Sequence, residues 1–299
     1  MATHTTASAI RATLHRALEE RDDVVLLGES MGRGGGVAGT TRGLQQRFGE
    51  DRVIDLPVAD RAAVGLAVGL ALGGRTAVVE VSTTGRLTAV FEVLAEAASV
   101  ASDGEFRVPL VVRVPTGTEA GNRVDRPAGD LLATVPGLSV VCGSTPETAA
   151  GLLEAALRSD RPVVLLEPRA LYHQQGEVSG NPIALDRARV VREGEHVTLV
   201  GWGASVPAAR QAAEDLHRED VSAQVVDLVS LSPVDEETLG AAVRRTGRIV
   251  AVHPDDSALA ERLLGVALQR AFLYLESPPA IVRPEHEAML RVTRESVFY

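Results

Sequence analysis

Asp60 closes the run Asp55-Leu56-Pro57-Val58-Ala59-Asp60, which leads from a short apolar segment into a long stretch of small residues. A carboxylate at such a junction has two uses. As an N-cap it accepts unsatisfied N–H groups of the first helical turn; as a catalytic group it holds a proton. The cap is the default reading and catalysis the sharper one. Upstream, Gly28-Glu29-Ser30-Met31-Gly32-Arg33-Gly34-Gly35-Gly36 follows an apolar run and carries five glycines in nine residues. Such a loop tolerates positive φ and close approach by a ligand or another chain. It does not complete a dinucleotide fingerprint, because Gly32 and Gly34 lack a third glycine at position 37. A structural or interface loop is the better reading. In the polar stretch 115–129, Arg123 and Arg126 are candidates for binding a carboxylate or phosphate, although exposed arginines on a polar loop are usually just solvated.

Other chemistries lack their residues. The histidines, at 4, 15, 173, 196, 217, 253 and 286, show no HxxxH, HxH or HExxH spacing, and no serine sits in a GxSxG elbow. Cys142 is the single cysteine, which forbids an internal disulfide and fits a reducing cytoplasm. Aromatic residues are only 3% of the chain and the formal charge is −10, which weighs against nucleic acid as a partner. No stretch approaches the roughly 20 apolar residues of a membrane span, and Ile10, Leu14 and Leu18 are spaced as a helix face. The expectation is a cytoplasmic protein with no membrane partner.

The elements that would position these groups alternate between strand-length and helix-length segments. Strands are expected at 24–27, 53–54, 77–81, 110–114, 139–142 and 163–166, with helices near 59–72, 87–102 and 146–158. This is the pattern of an α/β fold with a parallel sheet and crossover helices. The turn-rich stretch GEVSGNPIALD, 176–186, reads as a linker, and a second α/β set follows: strands at 197–201, 222–228 and 249–252, helices at 204–219, 235–245 and 256–271. The expected division is 1–178, a linker 179–188, and 189–299. Gly65 and Gly69 lie one turn apart on the helix at 59–72, which suits either a helix seam between subunits or ordinary packing on the sheet.

The segments ALEERDDVVLLGESMG, DRVIDLPVADRAAVGLAVGLALGG, VPGLSVVCGSTPETAAGLLEAALRSDRPVVLLEPRALY and VTLVGWGASVPAARQAAEDL, in this order, resemble the beta subunit of the thiamine diphosphate-dependent decarboxylase component of 2-oxo acid dehydrogenases. Pyruvate, branched-chain and acetoin dehydrogenases share this layout. The resemblance covers most of the chain and implies a transketolase-type pyrimidine-binding domain followed by a smaller transketolase C-terminal domain. It further implies an alpha-type partner that holds the diphosphate and magnesium, an α2β2 heterotetramer in which the beta chains self-associate, and a lipoyl-bearing acyltransferase as acyl acceptor. In the family a glutamate of the beta chain hydrogen-bonds the aminopyrimidine and promotes its imino tautomer; Asp60 stands at that position. By the same resemblance Glu29, Pro57 and Thr83 border the cofactor, and carbonyls of Leu157, Ser159 and Arg161 would hold potassium.

The sequence departs from the family where the chemistry lies. Asp60 is shorter than glutamate by one methylene, about 1.5 Å of reach. The run Glu80-Val81-Ser82-Thr83-Thr84-Gly85-Arg86 lacks the family's aromatic residues, and the loop 115–129 lacks its histidine. Two readings stay open: an enzyme subunit with altered chemistry, or a catalytically degenerate beta-like assembly or regulatory partner.

Overall fold

The computed structural model describes residues 2–81, 87–117, 128–253 and 258–299. Its contacts divide the chain into two compact units, Met1–Leu185 and Asp186–Tyr299. Segment 179–185, expected as linker, is tied to the first unit: Ile183 N–H donates to the Gly151 carbonyl, and Ser179 donates through its N–H and hydroxyl to Glu147.

In the first unit the strands are β1 (Ala2–Thr5), β2 (Val24–Glu29), β3 (Val53–Leu56), β4 (Thr76–Glu80), β5 (Leu110–Thr116), β6 (Ser139–Cys142), β7 (Val163–Pro168) and β8 (Gln175–Val178). The helices are α1 (Thr6–Glu20), α2 (Leu44–Phe48), α3 (Asp60–Leu72), α4 (Leu87–Ser102), α5 (Ala128–Leu132) and α6 (Pro146–Ala156). Strands β6-β7-β5-β4-β2-β3 lie side by side and all pair in parallel. Their apolar runs are buried along nearly their whole length, as in a sheet covered on both faces. Helix α1 packs on α6, and α3 on α4. β1 and β8 form a separate antiparallel pair that the sequence reading missed.

Local chemistry fixes the helix starts. Thr145 caps α6 by accepting from Thr148 N–H while the Thr148 hydroxyl accepts from Thr145 N–H, with Pro146 at the first helical position.

The second unit contains β9 (Arg189–Arg192), β10 (Val197–Gly201), β11 (Ala223–Asp227), β12 (Ser230–Ser232), β13 (Ile249–Val252) and β14 (Ala280–Val282), with α7 (Ser205–His217), α8 (Glu236–Thr246), α9 (Ala258–Ala271) and α10 (His286–Val297). Its sheet runs β14-β13-β10-β11-β9, parallel except for β9. Val197 and Leu199 of β10 pack with Ala209, Leu216, Met289 and Leu290 of α7 and α10, while Thr198 between them turns its hydroxyl to α8. This is the period-2 alternation of a strand between two helical layers.

Asp235 caps α8, accepting from the N–H and hydroxyl of Thr238 and from Ala188 N–H. Against burial, which acts to raise it, these bonds hold the Asp235 carboxyl below its ordinary value. Its contribution is therefore present above the unfolded value and is lost as pH falls through the lower folded one. Asp235→Ala is expected to cost the second unit about 1–2 kcal/mol at pH 7 and less toward pH 3; equal losses by urea titration at both pH values would contradict this assignment.

Candidate functional site

The carboxyl ends of the parallel strands in the first unit gather its polar side chains, at the edge where open α/β sheets bind ligands. Asp55, Gly28, Glu80 and Arg113 stand in register across β3, β2, β4 and β5. Arg113 has no exposed surface, yet carries a full charge. Its Nε and Nη2 donate to Glu167 at 2.7 and 2.8 Å, and its Nη1 lies 3.1 Å from Glu80 Oε2. The Tyr172 hydroxyl donates to Glu167 at 2.8 Å. Burial pushes the Glu80 carboxyl above its ordinary range; Arg113 opposes this and the Glu167 charge adds to it. Burial acts to lower Arg113, but the charges of Glu167 and Glu80 hold its pKa higher still. Burial and then Glu167 push the Tyr172 phenol up.

Asp60 lies beside this row. It is the first residue of α3, and Ala59, with φ −156° and ψ 66°, occupies the N-cap without a side-chain bond. The default reading of Asp60 as the N-cap is therefore corrected: Ala59 O already accepts from Ala63 N–H, so Asp60 lies one position inside the helix. Asp60 is only 9% exposed and borders an open hollow of about 830 Å³, lined by Val58, Ala59, Arg61, Ala62 and Gly65 and by Ala89 and Val93 of α4. Arg61 at the rim pairs with Glu92 of α4 at 3.0 Å. Gly65 and Gly69 are exposed, and nothing lies within 4 Å of where a Cβ would stand. Packing of these glycines against the sheet is thereby excluded; the buried side of α3 is Ala63, Val64, Ala67 and Ala71.

Glu29 pairs in register with Leu56, so the fold brings Glu29, Pro57 and Asp60 to neighbouring strand ends. Thr83, Arg123 and Arg126 lie outside the described residues. The Leu157, Ser159 and Arg161 turn is elsewhere: the Leu157 carbonyl accepts from Arg21 Nη1 at 2.6 Å, and the Arg161 carbonyl from the Ser159 hydroxyl at 3.0 Å. Among the described residues no three His, Cys, Asp or Glu side chains group as a metal site, and no helix is long and apolar enough to cross a membrane.

Sequence reasoning missed the quartet of Glu80, Arg113, Glu167 and Tyr172. The available signal was a lone charge in each of three apolar strand runs, which a buried strand keeps only if the charges meet. Arg113→Met leaves two carboxylates facing each other and is expected to cost about 3–5 kcal/mol in urea unfolding. A raised carboxyl contributes stability that is whole below its unfolded value, near 4.5, and that is lost as pH rises through the folded one. Glu80→Gln is expected to flatten this decline, and a variant with the wild-type slope would contradict the assignment.

Comparison with known proteins places this geometry. The family model for the transketolase pyrimidine-binding domain matches residues 2–175, and that for the transketolase C-terminal domain matches 186–290. Pyruvate dehydrogenase E1 component beta subunits are similar over most of their length. That of Acholeplasma laidlawii is 35% identical, covering 93% of this chain and 88% of the relative; that of Leifsonia xyli subsp. xyli is 37% identical, covering 90% and 83%; that of Staphylococcus epidermidis is 38% identical, covering 94% and 90%. A solved structure described as a split gene transketolase, an inactive beta4 tetramer, has the same fold, with a TM-score of 0.81, 18% identity and 98% coverage of both chains. The parallel sheet with its acidic edge and the α/β unit that follows it thus belong to a member of the transketolase-type pyruvate dehydrogenase E1 beta-subunit family.

Proposed function

We propose that this chain is the beta subunit of a thiamine diphosphate-dependent 2-oxo acid dehydrogenase, completing the cofactor site with an alpha-type subunit for decarboxylation and acyl transfer. The observation that carries the reading is Asp60, a buried carboxylate at a sheet edge that opens on an apolar hollow. An aminopyrimidine presents an apolar ring and N–H donors, and this combination of apolar wall and acceptor suits it. When bound, thiamine diphosphate supplies the electron sink on which a 2-oxo acid loses carbon dioxide.

The residues of this chain have narrower tasks. Asp60 accepts a hydrogen bond at its carboxylate and holds the proton there. Glu29 and Pro57 border the same edge, and the side chains of Val58, Ala62, Ala89 and Val93 give the open hollow beside it an apolar lining that would exclude water once the alpha subunit covers it. The diphosphate and its magnesium fall to the alpha subunit. A lipoyl-bearing acyltransferase is the natural acyl acceptor, and Arg123 and Arg126 are the candidates for the substrate carboxylate. The exposed Gly65 and Gly69 support an α2β2 assembly in which α3 meets another chain closely. Potassium fits poorly at the 157–161 turn, because a cation at the Leu157 carbonyl would meet the like charge of Arg21.

The experiment is reconstitution of the chain with an alpha subunit and a 2-oxo acid. Thiamine diphosphate-dependent turnover is expected only from the two together, and Asp60→Ala lowers it by about 10²–10⁴-fold. Asp60→Glu restores the missing methylene and is expected to raise kcat by about tenfold, the worth of one properly formed hydrogen bond. Unaltered turnover in Asp60→Ala would remove this residue from the mechanism. Calorimetry that detects no cofactor binding to the assembled complex would end the enzyme reading and favour the degenerate partner.

A further inference from the structure

We propose that Asp55 and Glu80 are positioning residues: a two-point carboxylate clamp that closes the loop 30–43 over the sheet edge and fixes the base from which Asp60 springs. Its link to Asp60 rests on the function proposed above; the clamp itself does not.

The geometry begins with a missing side chain. Side chains in register on neighbouring parallel strands point to one face, so Asp55 and Glu80 flank Gly28 on the same side. Gly28 has φ +153°, and a Cβ there would lie 3.0 Å from the Glu80 carbonyl oxygen and 3.0 Å from Met31 Cγ. The slot between the two carboxylates is filled by the loop, whose Met31 is fully buried. Asp55 accepts from Gly32 N–H at 2.6 Å and Arg33 N–H at 3.1 Å. Glu80 accepts from Val37 N–H at 3.0 Å and from the Thr40 hydroxyl at 3.4 Å. The Thr41 hydroxyl ties the two halves by donating to the Met31 carbonyl at 2.5 Å. Gly36, at φ +67°, has no room for a Cβ, which would come within 2.8 Å of Thr41 Oγ1.

The clamp bears on the site through the chain. Asp55 is in β3, five residues before Asp60, and Glu29 leads directly into the clamped loop. Arg113 holds Glu80 in turn, so the loop is anchored on one side to the buried quartet and on the other to β3, the strand that leads to Asp60.

The test is hydrogen exchange of the full-length chain, followed by mass spectrometry of peptides spanning 30–43. Glu80→Ala and Asp55→Ala are each expected to speed exchange there by about ten- to hundredfold, the scale of a lost charge-assisted hydrogen bond. Glu80→Gln and Asp55→Asn, which keep an acceptor oxygen, are expected to recover most of the protection. Glu154→Ala, which breaks the pairs with Arg16 and Arg158 elsewhere in the unit, should leave the loop unchanged. Unchanged exchange in folded Asp55→Ala and Glu80→Ala, or no recovery by the conservative variants, overturns the clamp. In the reconstituted complex, Asp55→Ala should lower kcat by about tenfold, with recovery in Asp55→Asn. Native kcat in Asp55→Ala with a freed loop overturns the link to Asp60. Absence of turnover in the wild-type complex overturns the function instead, and the exchange experiment still decides the clamp.

Discussion

A guanidinium with no exposed surface is tolerable only while carboxylates surround it. Removing an ion of this size from water costs several kcal/mol even after relaxation, and a bidentate bond with further hydrogen bonds is what offsets it. Arg113 meets that condition through Glu167 and Glu80, and Glu167 is further bonded by Tyr172. Because the three charged partners sit on β4, β5 and β7, their attraction fixes the carboxyl ends of three adjacent strands. The ladder hydrogen bonds and the packing of Val and Leu already set the register of these strands, and the charge triad ties their polar ends together in the same register.

The glycine-rich loop is intelligible from this edge. Its spacing resembles a phosphate-binding turn, and exposed N–H groups would make it one. Here the N–H groups of Gly32, Arg33 and Val37 are already turned to Asp55 and Glu80. The loop does bind anions, but they are the chain's own. That internal use accounts for the glycines without any cofactor phosphate.

The strands were legible in the sequence because each buried parallel strand is an apolar run, and 24–27, 110–114 and 163–166 fall inside β2, β5 and β7. β1 and β8 were not, since their residues are half exposed and mostly polar, nor was β9, whose two valines between arginines are only partly covered; all three owe their conformation to pairing. Helix α10 was passed over because Met289 and Leu290 are its only large buried side chains among charged neighbours. At the site, Glu29, Pro57 and Asp60 were named from the resemblance alone, whereas Glu80, Arg113 and Glu167 lie far apart in the chain and are joined only by strand order. Strand order is a property of tertiary pairing, which a local pattern does not encode. The cap assignment failed for a similar reason. Asp is a common N-cap, but the backbone at Ala59 leaves the helix one residue earlier, and Asp60 falls into the first turn.

That one-residue shift changes what Asp60 can do. An N-cap carboxylate is aimed at the N–H groups of its own first turn, while a carboxylate at the first helical position gains from the positive end of the dipole. Asp60 is short, so its reach depends on where the backbone is held rather than on side-chain length. The chain places that backbone between a strand fixed by the loop and a helix whose outer face, from Arg61 through Gly65 and Gly69, is exposed. The hollow beside Asp60 is thus walled by the start of α3 and by Ala89 and Val93 of α4, and its remaining side is open. The small residues on the exposed side of α3 leave no side chain there to hold another surface at a distance, so how closely that face can be approached is set by the backbone of α3 itself.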